Sequence, residues 1–243
     1  QPLYDHGVTP RQGELVMIAG RSGSQKSGLA LFLVEQMGLP TLYFSGDMTP
    51  FEATSRLVAM HASETVNEIE RELEAGNGWK YDALLSGSKV GFSFGQPITW
   101  HGIQANLDAS VELHNEFPKV IVIDNLMDMA GGESDYAAQQ QAMQDLTSLS
   151  RDTGATLIVL HHASEKGDGV DLSIQPGRRA IKNGLTEKPQ LILTVALVET
   201  FSGQELRVAA VKQRSGRSDP SGRTYARLKA APEYTRFYSG EHS

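Results

Sequence analysis

The residues with the clearest chemical potential form one octet, Gly20-Arg21-Ser22-Gly23-Ser24-Gln25-Lys26-Ser27. It follows an apolar run at residues 15–19 and leads into an apolar-rich segment that begins at Gly28. A strand, a turn rich in glycine and serine, and a Lys-Ser pair opening a helix are typical of a phosphate-binding loop, because backbone N–H groups at such a turn favour an anion. The pattern predicts that residues 20–28 bind a nucleotide, with Lys26 on its β- and γ-phosphates and Ser27 on Mg²⁺.

The octet departs from the usual phosphate-loop pattern at Gln25, where the pattern has glycine. Glycine tolerates unusual φ angles and lets a phosphate approach the backbone closely. Taken alone, the octet therefore also fits an ordinary turn before a helix, with Ser27 near the helix start for capping.

Composition narrows the class of protein. The chain has 243 residues, 40% of them hydrophobic and 21% charged, which is typical of a globular protein, and we expect one α/β domain over residues 1–243. Its first residue is Gln, so we expect a fragment or a trimmed product. No apolar run is long enough to span a membrane, and the absence of cysteine fits a cytoplasmic protein without disulfides. A net charge of −7 argues against a generally basic, DNA-coating protein, although a ring-shaped motor needs positive charge only along its channel.

Alternating strands and helices position the octet. Apolar, β-prone runs predict strands at residues 15–19, 41–45, 90–94, 119–125 and 155–160. Helices are predicted from the octet to about 37, from 50 to about 61 behind a Thr49 cap, over 63–76 with Ser63 as the cap, over 103–117 and over 136–152. This alternation predicts an α/β fold with a mainly parallel sheet, to which a hairpin over 191–212 and short strands at 224–228 and 235–238 are added antiparallel.

Acidic residues and histidines follow three of the predicted strands. In a parallel sheet the carboxyl ends of the strands face one crevice where ligands bind. There Asp124 suits the acid that holds Mg²⁺, and Asp47 suits the carboxylate that orients or deprotonates an attacking water. Each acid also fits a simpler role in a turn or helix cap. Of His161 and His162, one can face a phosphate, since neighbours in a strand point to opposite faces; a structural histidine is the alternative.

Two cationic segments lie further along the chain. Lys212-Gln213-Arg214-Ser215-Gly216-Arg217 follows a predicted strand and is either a solvated hairpin tip or a cationic finger against a neighbouring subunit's nucleotide. The predicted loop at residues 163–184 carries Lys166, Arg178, Arg179 and Lys182. These cations suffice to contact the phosphates of a nucleic acid, and the loop equally fits a mobile surface segment.

In their order along the chain, these motifs resemble those of the RecA-like hexameric ATPases, and among them the DnaB-type replicative helicases. The octet lies at the Walker A position, Phe44-Ser45-Gly46-Asp47-Met48 is similar to the strand ending Phe-Ser-Leu-Glu-Met, and Val122-Ile123-Asp124-Asn125-Leu126 is similar to the Walker B strand. Leu160-His161-His162-Ala163-Ser164 occupies the place of the Leu-Ser-Gln sensor, and its His-His pair also resembles RepA-type plasmid helicases. Lys212-Gln213-Arg214-Ser215-Gly216 resembles the Lys-x-Arg-x-Gly element.

The resemblance implies a RecA-like P-loop core that binds ATP and Mg²⁺, assembles as a homo-oligomer, a ring hexamer, and moves on single-stranded DNA. It implies that Asp47 is the catalytic carboxylate, that His162 is the sensor, and that Lys212 and Arg214 act in trans across the subunit interface. Gln25 and Asp47 depart from the family's Gly and Glu. Two other functions stay open: a recombination, repair or loading ATPase that binds DNA without processive unwinding, and a nucleotide-gated assembly protein with slow hydrolysis.

Overall fold

The described part of the chain is built around a nine-stranded β-sheet. The computed structural model describes residues 2–6, 8–129, 135–164 and 173–239. The strands are β1 Leu15–Gly20, β2 Thr41–Ser45, β3 Val90–Phe94, β4 Val120–Asp124, β5 Thr156–His162, β6 Leu191–Thr200, β7 Gly203–Gln213, β8 Ala226–Ala231 and β9 Arg236–Ser239. Their order is β3-β2-β4-β5-β1-β6-β7-β8-β9. In this order, neighbouring strands pair in parallel from β3 as far as β6 and antiparallel from β6 to β9. This arrangement confirms the predicted mainly parallel sheet with antiparallel strands added at its C-terminal end.

Helices connect the parallel strands. They are α1 Pro2–Asp5, α2 Lys26–Met37, α3 Pro50–His61, α4 Val66–Glu74, α5 Asp82–Leu85, α6 Trp100–His114, α7 Leu126–Met129 and α8 Tyr136–Thr153. Short 3₁₀ turns occur at Gly78–Tyr81, Arg178–Ala180, Lys182–Gly184 and Pro232–Tyr234. The single-turn helices α1, α5 and α7 are not predicted from the sequence, because four residues are too few to show a helical period.

Two hydroxyl residues cap the helices that follow β2. Thr49 caps α3 as predicted, and its side chain and that of Glu52 form a reciprocal capping box. The predicted cap at Ser63 is wrong: Thr65 caps α4, because only Thr65 has a glutamate, Glu68, three residues later to complete the same box.

The central strands β1, β2, β4 and β5 are buried on both faces, so their residues alternate between two apolar clusters. One face packs on α2 and contains Val16, Ile18, Tyr43, Val122 and Leu160. The other packs on α6 and α8 and contains Met17, Phe44, Ile123 and Val159. Because side chains alternate along a strand, the polar residues at the strand ends divide in the same way. Ser45, Asp124 and His162 fall on the α2 face, whereas His161 falls on the α8 face.

Within the residues that are described, no helix has the length and apolar character needed to cross a bilayer.

Candidate functional site

The octet forms the turn between β1 and α2, at the carboxyl edge of the parallel strands. Gly23 has φ +69°, a left-handed backbone that favours glycine. At Gly20 a side chain would collide with the Ser24 hydroxyl oxygen and lie 2.7 Å from a Val195 methyl group, so only glycine fits. The turn therefore brings the backbone close to the first residues of α2, whose N–H groups point at the same edge.

Arg21 organises this turn through its backbone and its side chain. Its carbonyl oxygen accepts hydrogen bonds from Lys26 Nζ at 2.9 Å and from Ser24 Oγ at 2.7 Å. Its nearly buried guanidinium group donates to the carbonyl oxygens of Ile174 at 2.7 Å and Ser164 at 3.4 Å. Lys26 is thus held against the loop by an oxygen that a phosphate oxygen can replace, and the loop is tied to the segment after β5.

Gln25 takes the N-cap position of α2 with a left-handed backbone, φ 64° and ψ 31°. That conformation is the one for which the phosphate-loop pattern has glycine. Its Oε1 atom lies only 2.7 Å from the point that a Cβ at Gly28 would occupy. Glutamine in place of the pattern's glycine at residue 25 therefore fits because residue 28 has no side chain, and the Gln25 amide fills space beside the first turn of α2.

We expect Gln25→Gly to bind ATP at least about threefold more tightly, or about 0.7 kcal/mol, because the loop then loses both the left-handed strain and the crowding amide. The strain costs a non-glycine residue about 1–2 kcal/mol, and the added freedom of the unfolded chain costs glycine about 0.4–1 kcal/mol. The free energy of unfolding should therefore change by no more than about 1 kcal/mol. Equilibrium binding of ATP and denaturant unfolding measure the two quantities.

Gln25→Ala is the matched control for this change, because it removes the amide and keeps the left-handed strain. A gain in affinity with Ala as well as Gly assigns the effect to crowding, and a gain with Gly alone assigns it to the backbone. If neither variant binds ATP more tightly, Gln25 does not limit the affinity of the loop for ATP.

Asp124 ends β4 and is 2% exposed. It accepts a hydrogen bond from the Tyr43 hydroxyl at 2.8 Å and another from the Ser27 hydroxyl. Burial raises the pKa of Asp124, and the charge of Asp47 acts in the same direction, whereas the two hydrogen bonds and the charge of Lys26 lower it. The structure thus brings together the Ser27 and Asp124 oxygens that the sequence predicts on Mg²⁺.

These two groups fit the ion, since Mg²⁺ prefers oxygen ligands and usually keeps waters and substrate phosphates in its shell. The described residues include no cluster of three or more His, Cys, Asp or Glu side chains that would hold a metal without such help. Phosphate oxygens from a nucleotide would therefore have to complete the coordination at Ser27 and Asp124.

Asp47 lies just beyond β2 and is exposed. Its carboxylate accepts hydrogen bonds from Asn125 Nδ2 at 3.0 Å and Gln96 Nε2 at 3.2 Å. Since Thr49 caps α3, Asp47 does not, which removes the capping alternative. Two amide groups thus orient a solvent-facing carboxylate beside Asp124.

Sequence reasoning missed a third carboxylate, Asp128 in α7. It accepts hydrogen bonds from the Asn125 N–H at 3.0 Å and from Gln96 Nε2 at 2.9 Å. Burial raises its pKa, the Asn125 hydrogen bond lowers it, and the charge of Asp47 raises it further. Its carboxylate also fills the space that a side chain at Gly46 would need. The only signal for it in the sequence is the four-residue spacing from Asp124.

The two histidines at the end of β5 have different surroundings. His161 is fully buried, and its Nε2 donates to the Lys182 carbonyl oxygen at 3.0 Å. Burial lowers the pKa of His161 to about 4, opposed by that hydrogen bond, so the ring is neutral near pH 7. His162 pairs in register with Gly20, on the α2 face. His161 is therefore the structural member of the pair, and His162 is the one beside the octet.

Lys212 and Arg214 lie apart from the octet of their own chain. The Lys212 ammonium group donates to the carbonyl oxygens of Thr186 at 2.6 Å and Glu187 at 2.7 Å. The Arg214 N–H donates to the Gln190 carbonyl, and the Gln190 N–H donates to the Leu15 carbonyl, so Arg214 is level with the start of β1. Gly20 is at the other end of that strand, about 17 Å away for five residues.

The cations predicted for nucleic acid are also spread out. Lys166 lies outside the described residues. Arg179 is exposed, and the Lys182 backbone is held by His161. Arg178 is half-buried, and its Nη2 donates to Thr186 Oγ1 at 3.1 Å, which turns it towards Lys212.

Comparison with known proteins shows the family and the fold of the chain. Residues 3–168 match the AAA domain family. The chain is 30% identical over 235 residues to the Gene 65 protein of Mycobacterium phage L5, covering 93% of this chain and 86% of that protein. It is 28% identical over 224 residues to the Gene 65 protein of Mycobacterium phage D29, covering 88% and 94% respectively.

Two solved structures share the fold. The ATPase domain of G40P superposes with a TM-score of 0.77 at 18% identity, covering 95% of this chain and 86% of that one. A DnaB-like replicative helicase, solved in a study of its interactions with primase, gives the same TM-score and identity, and the chain covers 58% of its length. The predicted resemblance is confirmed: the chain belongs to the AAA domain family and has the RecA-like ATPase fold of the DnaB-type helicases.

Proposed function

We propose that residues 1–243 form one ATPase domain of a DnaB-type helicase or translocase, which hydrolyses ATP between two copies of the chain and moves on single-stranded DNA. The observation that supports this most directly is the separation of the site into two halves. The octet, Asp47 and Asp124 meet at one edge of the sheet, whereas Arg214 is level with the opposite end of β1. Both halves can act on one nucleotide only if the second comes from another copy.

Residues of one copy would carry out the chemical step. Lys26 would exchange the Arg21 carbonyl for the β- and γ-phosphate oxygens. Asp47, oriented by Asn125 and Gln96, would take the proton of a water that attacks the γ-phosphorus while the bond to the β–γ bridging oxygen breaks, leaving ADP and phosphate. A bound Mg²⁺ neutralises charge on the phosphate oxygens, and Ser27 and Asp124 would hold it. His162 would sense the γ-phosphate from the end of β5.

The neighbouring copy would supply Lys212 and Arg214. A cation placed against the transferring phosphoryl group stabilises the charge of the transition state, with an effect of about 10³–10⁵ in kcat for an arginine finger. A closed ring of identical interfaces places one such pair at every nucleotide. A hexamer is the ring that we propose, by analogy with the DnaB-type fold.

Arg179 and Lys182, with Lys166 in the same segment, are the proposed contacts to single-stranded DNA. Their charges would contact the phosphates of the DNA strand, so binding would not depend on the base sequence. Arg21 donates to the carbonyl oxygens of Ser164 and Ile174, which both precede Arg179 and Lys182 in the segment after β5, so the phosphate loop is tied to the segment that carries these proposed contacts.

The test is ATP hydrolysis by the full chain with and without single-stranded DNA, read together with its mass by light scattering and its action on a forked duplex. We expect a DNA-stimulated ATPase in a closed oligomer that separates the fork. DNA-dependent hydrolysis without strand separation would instead select the recombination or loading ATPase. Slow hydrolysis that DNA does not change, in a nucleotide-dependent oligomer, would select the assembly protein, a function favoured by the left-handed Gln25.

The proposed role of Lys212 predicts that ATP hydrolysis depends on pH. Burial, together with the charges of Arg214 and Arg178, lowers the pKa of Lys212 from 10.5 to about 8. The ammonium group of the free protein is therefore lost as the pH rises through about 8, and we expect kcat/KM, which reports the free enzyme, to fall there. In Lys212→Arg the charge persists, so the fall should move to higher pH. An unchanged pH profile of kcat/KM in Lys212→Arg would show that another group titrates.

The same pKa predicts an opposite trend in stability. The folded-state pKa lies below the unfolded one, so the charged lysine costs the folded state free energy below pH 8. That cost disappears between about pH 8 and 10.5. Relative to Lys212→Arg, the wild type should therefore gain free energy of unfolding over this range, as measured by denaturant titration.

A further inference from the structure

Arg178 is held away from the exposed cations of its own segment. The Arg178 N–H donates to the Pro220 carbonyl oxygen at 2.9 Å, which fixes the start of the Arg178–Ala180 turn. The side chain is half-buried and donates to the Thr186 hydroxyl at 3.1 Å. Its neighbour Arg179 is exposed. Two adjacent arginines in one predicted DNA-binding loop thus have different surroundings.

Thr186 joins Arg178 to the proposed trans-acting pair. Its hydroxyl accepts from Arg178, and its carbonyl oxygen accepts from Lys212 at 2.6 Å. Arg214 completes the group, because it lies two residues after Lys212, where its N–H is fixed on the Gln190 carbonyl oxygen, and its charge and that of Arg178 both act on Lys212. Arg178, Lys212 and Arg214 therefore form one cluster, which we call the three-cation cluster.

This cluster has little compensating charge. Among the described residues, no ion pair joins any of its three members to a carboxylate. Glu187 acts on Lys212 from a distance, with a smaller effect than Arg214 or Arg178. A cavity of about 850 Å³ lies on the Arg178 side of the cluster, and its lining includes Arg178, Arg179, Thr186 and Ser221 but not Lys212 or Arg214. Gathering like charges is unfavourable unless an anion binds among them.

We propose that Arg178 acts with Lys212 and Arg214 on the triphosphate bound by the octet of a neighbouring copy, and that it is not a nucleic-acid contact. This inference rests on the proposed function. A triphosphate concentrates several negative charges within a few ångströms, which matches two cations held on one threonine with a third close by in the chain, whereas a nucleic-acid strand spreads its phosphates along an extended groove. Arg178 would then be a catalytic residue at the triphosphate, whereas the sequence predicts it as a contact to nucleic acid.

The first experiment compares Arg178→Gln with Arg71→Gln, which removes an exposed arginine of α4. We expect Arg178→Gln to lower kcat measured without DNA by at least about tenfold, or about 1.4 kcal/mol, with single-stranded DNA affinity unchanged within twofold. Arg71→Gln should keep the wild-type kcat. Arg179→Gln should instead weaken DNA binding and reduce its salt slope by about 1.

The second experiment mixes Arg178→Gln with Lys26→Ala subunits. A Lys26→Ala copy has an inactive octet and an intact three-cation cluster, so it can serve the intact octet of an Arg178→Gln neighbour. We expect the mixture to hydrolyse more ATP than the sum of the two variants alone. That gain also shows that Arg178→Gln subunits fold and assemble.

The inference is overturned if Arg178→Gln keeps its DNA-free kcat and loses DNA affinity with a salt slope reduced by about 1, which is the behaviour of a phosphate contact on nucleic acid. It is also overturned if kcat falls and mixing gives no gain, since Arg178 then acts within its own copy. A wild-type chain with no ATPase activity would refute the proposed function itself.

Discussion

Replacing Lys26 by alanine should lower kcat/KM for ATP by at least about 10³, since the change removes the one cation that the octet directs at the β- and γ-phosphates. Its Nζ is already within the turn, 2.9 Å from the Arg21 carbonyl, so little reorganisation is needed for it to meet a phosphate. Steady-state hydrolysis measures the loss in kcat/KM, and equilibrium nucleotide binding measures how much of it is lost affinity for ATP.

Folding should be almost unaffected by the same change. Lys26→Ala removes a hydrogen bond to Arg21, worth about 1 kcal/mol, and gains helix propensity at the start of α2. Lys119→Ala is the matched control: that lysine is exposed and pairs with Glu116 at 3.0 Å on the surface, and its loss should leave hydrolysis unchanged. Equal hydrolysis by Lys26→Ala and Lys119→Ala, with both variants folded, would show that the octet is not a nucleotide site.

The architecture could be predicted from the sequence because its strands are marked by uninterrupted apolar runs. Thr41–Ser45 and Val90–Phe94 have the same bounds in the sequence and in the structure. Burial on both faces produces such runs in parallel strands, and the turns between strand and helix carry recognisable polar residues. The octet, Asp47 and Asp124 were found for this reason: each stands directly after an apolar run.

Residues that join the site from elsewhere could not be found in this way. Gln96 reaches both Asp47 and Asp128 from the loop after β3, and a single glutamine in a polar loop has no pattern to reveal it. Tyr43 looks like an ordinary core residue of β2, yet its hydroxyl donates to Asp124. Such contacts depend on which strands become neighbours, and that order is a property of the fold.

The three-cation cluster depends on a detail of strand register. Ile192 pairs with Lys212 while Leu193 pairs with Ala210, so Val211 is an extra residue in β7. This bulge places Lys212 on the same face as Ile192, towards Thr186 and Arg178. No glycine marks the position, and an unbroken alternation would put Lys212 on the other face.

Replacing Asp47 by asparagine should lower kcat by about 10²–10⁴, the range expected when a positioned general base is lost. Asn125 and Gln96 both direct amide N–H groups at the Asp47 carboxylate. Asparagine cannot take a proton from water, and its single carbonyl oxygen can keep only one of these two bonds, because Gln96 and Asn125 donate to different oxygens of Asp47. ATP affinity should stay within a few-fold of the wild type. Pre-steady-state hydrolysis separates the rate of the chemical step from the affinity for ATP.

Three further variants make this assignment specific. Asp47→Glu keeps a carboxylate and should retain at least about a tenth of the wild-type kcat, a loss of no more than about 1.4 kcal/mol. Asp108→Asn is the surface control, an exposed aspartate that accepts from the Gln104 amide at 2.8 Å as Asp47 accepts from Gln96. Asp128→Asn tests the other carboxylate that Gln96 and Asn125 contact. If Asp128→Asn abolishes hydrolysis while Asp47→Asn preserves it, the base is Asp128, the carboxylate that sequence reasoning missed and whose pKa is raised by burial.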